Sequence, residues 1–134
     1  MNALNFVNSL IPVLKPEDNI AKATALLDDL NLDQLPVVYQ GQFHGFISSD
    51  MLFDDLFDHS SVGEYALDPN KGVVYANQHF YEVVKAFSDS DSTLLAIVDE
   101  NQEYLGAFQA RDLLKAFAQT TAVQASGSVI EISS

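Results

Sequence analysis

The sequence predicts an α+β protein built from two similar halves that pack against each other. Its 134 residues are 48% hydrophobic and 10% aromatic, enough for one compact core. Moving the sequence by 60 positions places apolar residues on apolar residues along most of its length. Each half shows the same order of strand, helix, hairpin and helix. Two such halves bury more apolar surface together than either buries alone.

The internal repeat is the first of these observations to justify, because repeats decide the fold. The shift pairs Ile20 with Phe80, Ala23 with Val83, Leu26 with Ala86, Leu27 with Phe87, and residues 35–38 with 95–98. One extra residue in the second turn makes the shift 61, which pairs Gly45 with Gly106 and Leu52 with Leu113. We therefore expect one repeat over residues 1–60, a second over 61–119, and a linker over 120–134.

The elements follow from local patterns. Residues 11–14 and 73–75 are short apolar runs that predict strands. Apolar residues at helical spacing predict a helix after each run, the first starting near Asn19 and the second capped by Asn77. Hairpins are expected at residues 35–47 and 94–108, and closing helices at 49–57 and 110–118. Residues 6–10 and 62–67 occupy matching positions and are expected to form single helical turns.

The charge excludes two classes of partner. Nineteen acidic residues against six basic ones give a formal charge of −13. Nucleic acids and anionic membranes both require a basic surface, so we expect no nucleic acid and no membrane as partner.

The compartment is inferred from what the sequence lacks. The chain has no cysteine, which excludes disulfides and thiolate chemistry and fits a reducing compartment. No signal peptide is visible, and the apolar runs are far shorter than the roughly 18 residues of a membrane span. We expect a soluble, cytoplasmic protein.

These features resemble a tandem pair of cystathionine beta-synthase (CBS) domains, the arrangement called a Bateman module. The resemblance covers roughly residues 5–119. It rests on Leu35-Pro36-Val37-Val38 after a helix, and on two segments that enter a helix, Gly45-Phe46-Ile47-Ser48 and Gly106-Ala107-Phe108-Gln109. It implies two β-α-β-β-α repeats with pseudo-twofold symmetry, a non-catalytic regulatory role, adenosine-containing ligands between the repeats, and a homodimer.

The family's ligand motif, Gly-x-x-Ser/Thr-x-x-Asp, is divided between the two repeats. The first repeat has Ser48 but carries Met51 at the aspartate position, with Asp50 one position early. The second repeat has Asp112, preceded by Arg111, but Gln109 replaces the hydroxyl residue. One residue of offset turns a helical side chain by about 100°.

Each candidate ligand-binding residue also has a structural interpretation. Ser48 either meets a phosphate or only caps its helix. Asp112 either holds a ribose or only complements the helix dipole. Arg111 either pairs with a phosphate or forms a surface salt bridge. Pro36 either lines the adenine pocket, as the resemblance implies, or is a strand residue, and Asp50 completes the candidate set.

Metal binding and catalysis are not expected. The acidic stretch from Asp50 to His59 could hold a hard cation, but a solvated helix face is the simpler interpretation. Asp89-Ser90-Asp91-Ser92 lacks the glycine and glutamate of a calcium loop, and the three histidines share no ligand motif. There is no P-loop, nucleophile elbow or dinucleotide fingerprint, so the chain is not expected to be an enzyme.

Two functions remain open, with a metal-responsive switch at the acidic stretch as a distant third. The first is a regulatory module that binds AMP, adenosine or S-adenosylmethionine beneath Ser48 or Asp112. ATP is disfavoured because nearby carboxylates repel a triphosphate. The second is a ligand-free dimerisation scaffold. Residues 120–128 have linker composition. Residues 129–132 are strand-like, and we expect them either to add to the edge of an existing sheet or, as we favour, to begin a further domain.

Overall fold

The structure, a computed structural model, describes residues 2–54, 61–65, 67–90 and 93–125. It confirms the α+β class and the two repeats. The first repeat contains α1 (Ile20–Leu30), β1 (Gln34–Tyr39), β2 (Gln42–Ser48) and α2 (Ser49–Asp54). The second contains β3 (Val73–Tyr75), α3 (Phe80–Asp89), β4 (Leu94–Val98), β5 (Tyr104–Gln109) and α4 (Ala110–Ala125).

The two central helices start at equivalent positions of the repeat. The side chain of Asn19 accepts a hydrogen bond of 2.8 Å from the Lys22 backbone N–H and so caps α1. The predicted cap of α3, Asn77, is wrong, because His79 occupies the N-cap position. Asn19 and His79 are 60 positions apart, so the repeat locates this helix start better than residue preference does.

Each repeat has an antiparallel hairpin with an irregularity at the same place. In β1 and β2 the register shifts between Val37 and Val38, and in β4 and β5 it shifts between Ile97 and Val98. The second sheet has a third strand, β3, which pairs with β4 in parallel. The first sheet has two strands.

The predicted first strand at residues 11–14 is wrong: one bridge, between Leu14 and Val37, stands in its place. Leu14 makes both of its ladder bonds, from its N–H to the Pro36 carbonyl and from the Val38 N–H to its own carbonyl. The next pair would need N–H groups from Pro12 and Pro36, and proline has none. In the second repeat Ala96 replaces Pro36, and its N–H donates to the Gly72 carbonyl at 2.8 Å.

The last helix is longer than predicted, because α4 continues to Ala125. The expected linker over residues 120–128 is therefore wrong for its first six positions. Residues 116–125 contain no glycine or proline and are rich in alanine and glutamine, which favour helix. The strand expected at residues 129–132 lies outside the described residues.

The short turns that precede each repeat pack into the opposite repeat. A 3-10 turn at Ala3–Phe6 precedes the first repeat, but Ala3 donates its N–H to the Gln78 carbonyl at 3.1 Å. Phe6 is 2% exposed, and its ring lies 6.2 Å from Phe80 and 5.7 Å from Phe108. This turn therefore completes the core of the second repeat.

The reciprocal turn, at Val62–Glu64, completes the core of the first repeat. Val62 donates its N–H to the Asp18 carbonyl at 2.9 Å, and Gly63 donates to the Pro16 carbonyl at 2.8 Å. Val62 and Tyr65 are buried in the same cluster as Leu14. The core of each repeat is thus completed by the turn that lies at the start of the other repeat.

The hairpin turns of the two repeats also meet. Tyr104 donates its N–H to the Gly41 carbonyl at 2.8 Å, and its ring stacks on Phe43 at 6.2 Å. Burial raises the pKa of the Tyr104 hydroxyl above its usual range, so this tyrosine stays neutral at physiological pH. The contact adds a third apolar cluster between the two sheets, containing Phe43, Ala96 and Val98.

We call the turns at Ala3–Phe6 and Val62–Glu64 the exchanged turns, because each packs into the core of the other repeat. The chain that follows each exchanged turn comes very close to one glycine. Gly45 has φ +129°, and a Cβ added there would lie 2.7 Å from the Leu67 Cβ. A Cβ on Gly106 would lie 2.9 Å from a methyl carbon of Val7. After each exchanged turn, the chain crosses the sheet in contact with the backbone of one of these glycines. A side chain at that position would occupy the space of the crossing chain, so glycine is required there.

We predict that Phe6→Ala lowers the free energy of unfolding by about 3–5 kcal/mol, the usual cost of removing a buried phenylalanine. The control Leu4→Ala lies in the same turn but changes a side chain that is 47% exposed, so it should cost far less. Urea denaturation of both variants measures the difference. Equal losses would contradict the exchanged packing.

We predict that Gly45→Ala destabilises the protein more than Gly41→Ala. Both glycines have positive φ, which costs a residue with a Cβ about 1 kcal/mol. Gly41 has no atom within 4 Å of its added Cβ, whereas Gly45 meets Leu67, so Gly45→Ala should cost about 1–3 kcal/mol more. Thermal melting compares the two, and equal melting temperatures would refute the close approach.

Candidate functional site

Two clefts lie where the start of the last helix of one repeat meets the segment that contains or follows the exchanged turn of the other. These exchanged segments are residues 5–10 and 67–71. The Ser48 cleft is lined by Gln34, Phe46, Ser48, Met51, Leu67, Asp68 and Lys71. The Asp112 cleft is lined by residues 5–10 with Arg111, Asp112, Lys115, Ala116 and Gln119. Both clefts therefore have walls from both repeats.

The Ser48 cleft is small, and its lining includes the apolar side chains of Phe46, Met51 and Leu67. Its volume is about 180 Å³, below the roughly 300–1,000 Å³ of small-molecule sites. The hydroxyl of Ser48 accepts a hydrogen bond of 3.4 Å from the Met51 N–H, so this serine caps α2. Met51 lines the cleft at the position where the family motif has aspartate. Asp50 is exposed and is not among the lining residues.

One polar atom in the Ser48 cleft has no hydrogen-bond partner among the described residues. It is the buried side-chain oxygen Oε1 of Gln34, which pairs with Ser48 across the hairpin. The equivalent residue of the second repeat is Leu94, which is buried and apolar. The amide therefore makes this cleft different from its counterpart.

The Asp112 cleft is larger and carries positive charge. Its volume is about 550 Å³, within the range of small-molecule sites. Arg111 and Lys115, two of the six cationic residues in the chain, line it at the start of α4. Neither forms an ion pair with a residue in the described part of the chain, where Lys22 and Asp18 make the one such pair. The salt-bridge interpretation of Arg111 therefore has no partner among these residues.

The carboxylate of Asp112 is already engaged. The side-chain amide of Asn8 donates to both of its oxygens, at 3.3 Å and 3.1 Å. The backbone N–H of Gln109 donates to Oδ2 at 2.8 Å, which caps α4. Asp112 thus joins the second repeat to the exchanged segment. Any ribose hydroxyl would have to share this carboxylate with Asn8 or displace its amide.

The sequence-based reasoning missed Asn8, although the repeat held a signal for it. Moving Asn8 by 60 positions gives Asp68, which lines the Ser48 cleft at the matching place. Asp68 precedes β3, Asn8 precedes the equivalent run at residues 11–14, and both have a polar side chain. Applying the shift to residues outside the main elements would have identified Asn8 and Asp68 as equivalent polar positions, but not the contact of Asn8 with Asp112.

Of the five predicted ligand-binding residues, the structure brings Arg111 and Asp112 together and places Ser48 in the other cleft. Pro36 is buried in β1 and accepts a hydrogen bond from Leu14 through its carbonyl. It lines neither cleft. Asp50, as described above, is exposed beside the Ser48 cleft.

The acidic stretch proposed as a cation site lies largely outside the described residues, which stop at Asp54 and resume at Ser61. Residues Asp91 and Ser92 also lie outside them. Among the residues that the structure does describe, no three His, Asp or Glu side chains are close enough to hold a metal ion. The same part of the chain includes no helix with the length and apolar composition needed to cross a membrane.

Comparison by sequence finds no relative: no family model matches the chain, and no curated protein matches it. Comparison by structure finds many. A CBS domain pair/ACT domain protein from Thermotoga maritima matches with a TM-score of 0.74 and 20% identity, over 90% of this chain and 98% of the other. CBSX2 from Arabidopsis thaliana, solved in complex with AMP, matches with a TM-score of 0.75 and 20% identity over the same shares.

A third neighbour is part of a larger protein. The cytosolic domain of the Mg²⁺ channel MgtE, solved in complex with ATP, matches with a TM-score of 0.69 and 21% identity. The match covers 85% of this chain and 48% of the other. Similarity at these identities shows the fold. This chain therefore has the fold of a tandem pair of CBS domains.

Proposed function

We propose that this protein is a non-catalytic regulatory module that binds AMP or a similar adenosine-containing anion in the Asp112 cleft. The observation that carries the proposal is the local charge of this cleft. Its lining includes two cations, Arg111 and Lys115, and one carboxylate, Asp112, in a chain whose formal charge is −13. The start of α4 adds the positive end of a helix dipole.

The chemistry of the cleft fits a phosphate and a ribose together. Guanidinium and ammonium groups bind phosphate oxygens, and a carboxylate accepts hydrogen bonds from ribose hydroxyls. The two cations favour AMP over uncharged adenosine and over the sulfonium of S-adenosylmethionine. The structural neighbours solved with AMP and with ATP support an adenine nucleotide as the ligand class. The cytoplasmic location expected from the sequence remains a prediction.

Two specific observations favour the scaffold function. The Asn8 amide occupies the Asp112 carboxylate, and Met51 takes the place of the aspartate in the Ser48 cleft. A module that has lost its ligand would keep such internal contacts. Binding measurements therefore decide between the two functions.

We predict that Arg111→Gln weakens AMP binding by about fivefold to tenfold but leaves adenosine binding unchanged, because only AMP has a phosphate for the guanidinium. The matched control Lys85→Gln removes one exposed cation from α3, outside the cleft, and should change neither. Isothermal titration calorimetry measures both ligands on each variant. Adenosine, ADP, ATP and S-adenosylmethionine complete the panel.

Three results would count against this proposal. If Arg111→Gln and Lys85→Gln weakened AMP binding equally, the affinity for AMP would depend only on the net charge of the protein. Preference for S-adenosylmethionine over AMP would overturn the phosphate assignment. No binding of any nucleotide would favour the scaffold.

We also propose a homodimer, as the resemblance implies, through the outer face of α3 and α4. Leu114 and Phe117 are 66% and 50% exposed on one face of α4, and Tyr81 of α3 is 84% exposed. Phe80 joins the two helices, because its ring stacks on Phe117 at 5.3 Å and contacts Tyr81 at 6.1 Å. Exposed apolar groups that adjoin each other in this way mark interaction surfaces.

Leu114→Glu should shift the protein from dimer to monomer, because a buried carboxylate without a partner opposes association. The control Val13→Glu changes a side chain that is 40% exposed and belongs to neither helix, and it should leave the dimer intact. Analytical ultracentrifugation gives the mass of each variant. A wild-type monomer, or a dimer that survives Leu114→Glu, would refute this interface.

A further inference from the structure

A third cavity, larger than either cleft, adjoins the Ser48 cleft. It is an open groove of about 740 Å³ on the first repeat, here called the hairpin groove, and Glu17, Val37, Tyr39, His44, Glu64 and Tyr65 contribute to its walls. It shares only Leu67 with the Ser48 cleft. Its volume falls within the range of sites for small organic molecules.

The walls of the hairpin groove are fixed by backbone contacts. One wall, the turn at Val62–Glu64, is bonded to the residues before α1 through Gly63 N–H to Pro16 carbonyl, at 2.8 Å. A Cβ on Gly63 would lie 2.9 Å from the Pro16 Cβ, so these two walls are in close contact. The groove is thus formed before any ligand arrives, which lowers the entropic cost of binding.

Among the described lining residues of the groove, the charged side chains are carboxylates. Glu17 and Glu64 contribute two carboxylates, and the described lining includes no lysine or arginine. The Glu64 carboxylate is held in position, because it accepts a hydrogen bond of 2.7 Å from the Ser61 N–H. Glu17 is exposed. An organic anion would be repelled here, and a cation would be attracted.

The remaining lining is aromatic and apolar. Tyr65 and Val37 are 7% and 0% exposed and give the groove a buried apolar part. Tyr39 is 47% exposed, and its ring contacts that of His44 edge to face at 6.0 Å. Aromatic rings beside carboxylates form favourable surroundings for ammonium and guanidinium groups. Apolar surface below them suits a short hydrocarbon body.

The second repeat has a related cavity at the equivalent position, which helps to identify the better site. That cavity is lined by Tyr75, Asp99 and Glu100, among others, and its volume is about 490 Å³. The Asp99 carboxylate already accepts hydrogen bonds from Asn101 and Glu103 N–H groups, at 2.8 Å and 3.0 Å. One aromatic residue, Tyr75, lines the cavity of the second repeat. The hairpin groove has three aromatic rings, those of Tyr39, His44 and Tyr65, and a buried apolar part.

We propose that the hairpin groove binds a small organic cation, an ammonium or guanidinium group on a short apolar body, independently of the nucleotide cleft. Glu17 supplies the charge that attracts it, and Tyr39 supplies an aromatic surface. The site is separate from the proposed nucleotide site, so either can fail without the other. A regulatory module of this kind would respond to two ligands of opposite charge.

The test is a titration of the full chain with n-butylammonium chloride, followed by the backbone amide signals of Tyr39 and Gly63 in two-dimensional NMR. Sodium chloride keeps the ionic strength constant, and n-butanol serves as the uncharged ligand of similar shape. We expect saturable shifts at these amides with the ammonium and little change with the alcohol. Glu17→Gln should weaken the binding of n-butylammonium by about fivefold, and Tyr39→Leu should also weaken this binding.

The control Glu82→Gln removes one exposed carboxylate from α3, outside the groove, and should leave the affinity unchanged. Three results would overturn the proposal. Equal weakening by Glu17→Gln and Glu82→Gln would show attraction to net charge only. Equal affinity for butanol would show an apolar site without charge selection. Shifts that do not saturate, or that avoid the groove, would show that no such site exists.

Discussion

The reciprocal exchange of two short turns is the constraint on which the rest of the structure depends. Ala3 and Phe6 enter the core of the second repeat, and Val62 and Tyr65 enter the core of the first. Neither repeat is complete without residues that precede the other one in sequence. Burial of these side chains therefore couples the stability of the two halves, and the hairpin contact between Tyr104 and Gly41 reinforces the coupling.

The same exchange builds the clefts. As the chain leaves each exchanged turn, it passes directly over a glycine, at Gly45 in one repeat and Gly106 in the other. It then supplies one wall of a cleft whose other wall is the start of a helix. Asn8 and Asp68 are the residues that this crossing brings to the two clefts. The sites are consequently properties of the pair, since no single repeat contains both walls.

Although they are related by the repeat, the two clefts differ in chemistry. The Ser48 cleft is lined by the apolar residues Met51 and Leu67, whereas Arg111 and Lys115 give the Asp112 cleft positive charge. A third region, the hairpin groove, has carboxylates instead. An acidic chain thus concentrates a part of its few cations at one inter-repeat site. Local charge, more than the net charge of −13, governs which small molecules each cavity attracts.

The sequence by itself determined the repeat, the α+β class and most helix and hairpin positions, because apolar spacing reports which face of each element is buried. It failed at residues 11–14, where prolines remove N–H groups from an otherwise strand-like run, and at Asn77 and residues 120–125. The structure places Ser48 and Asp112, which the motif indicated, and Arg111 beside Asp112, in the walls of the two clefts. Only the tertiary structure decided that Asn8 meets Asp112, residues 104 positions apart, because that contact arises from the exchange of turns, which local patterns do not encode.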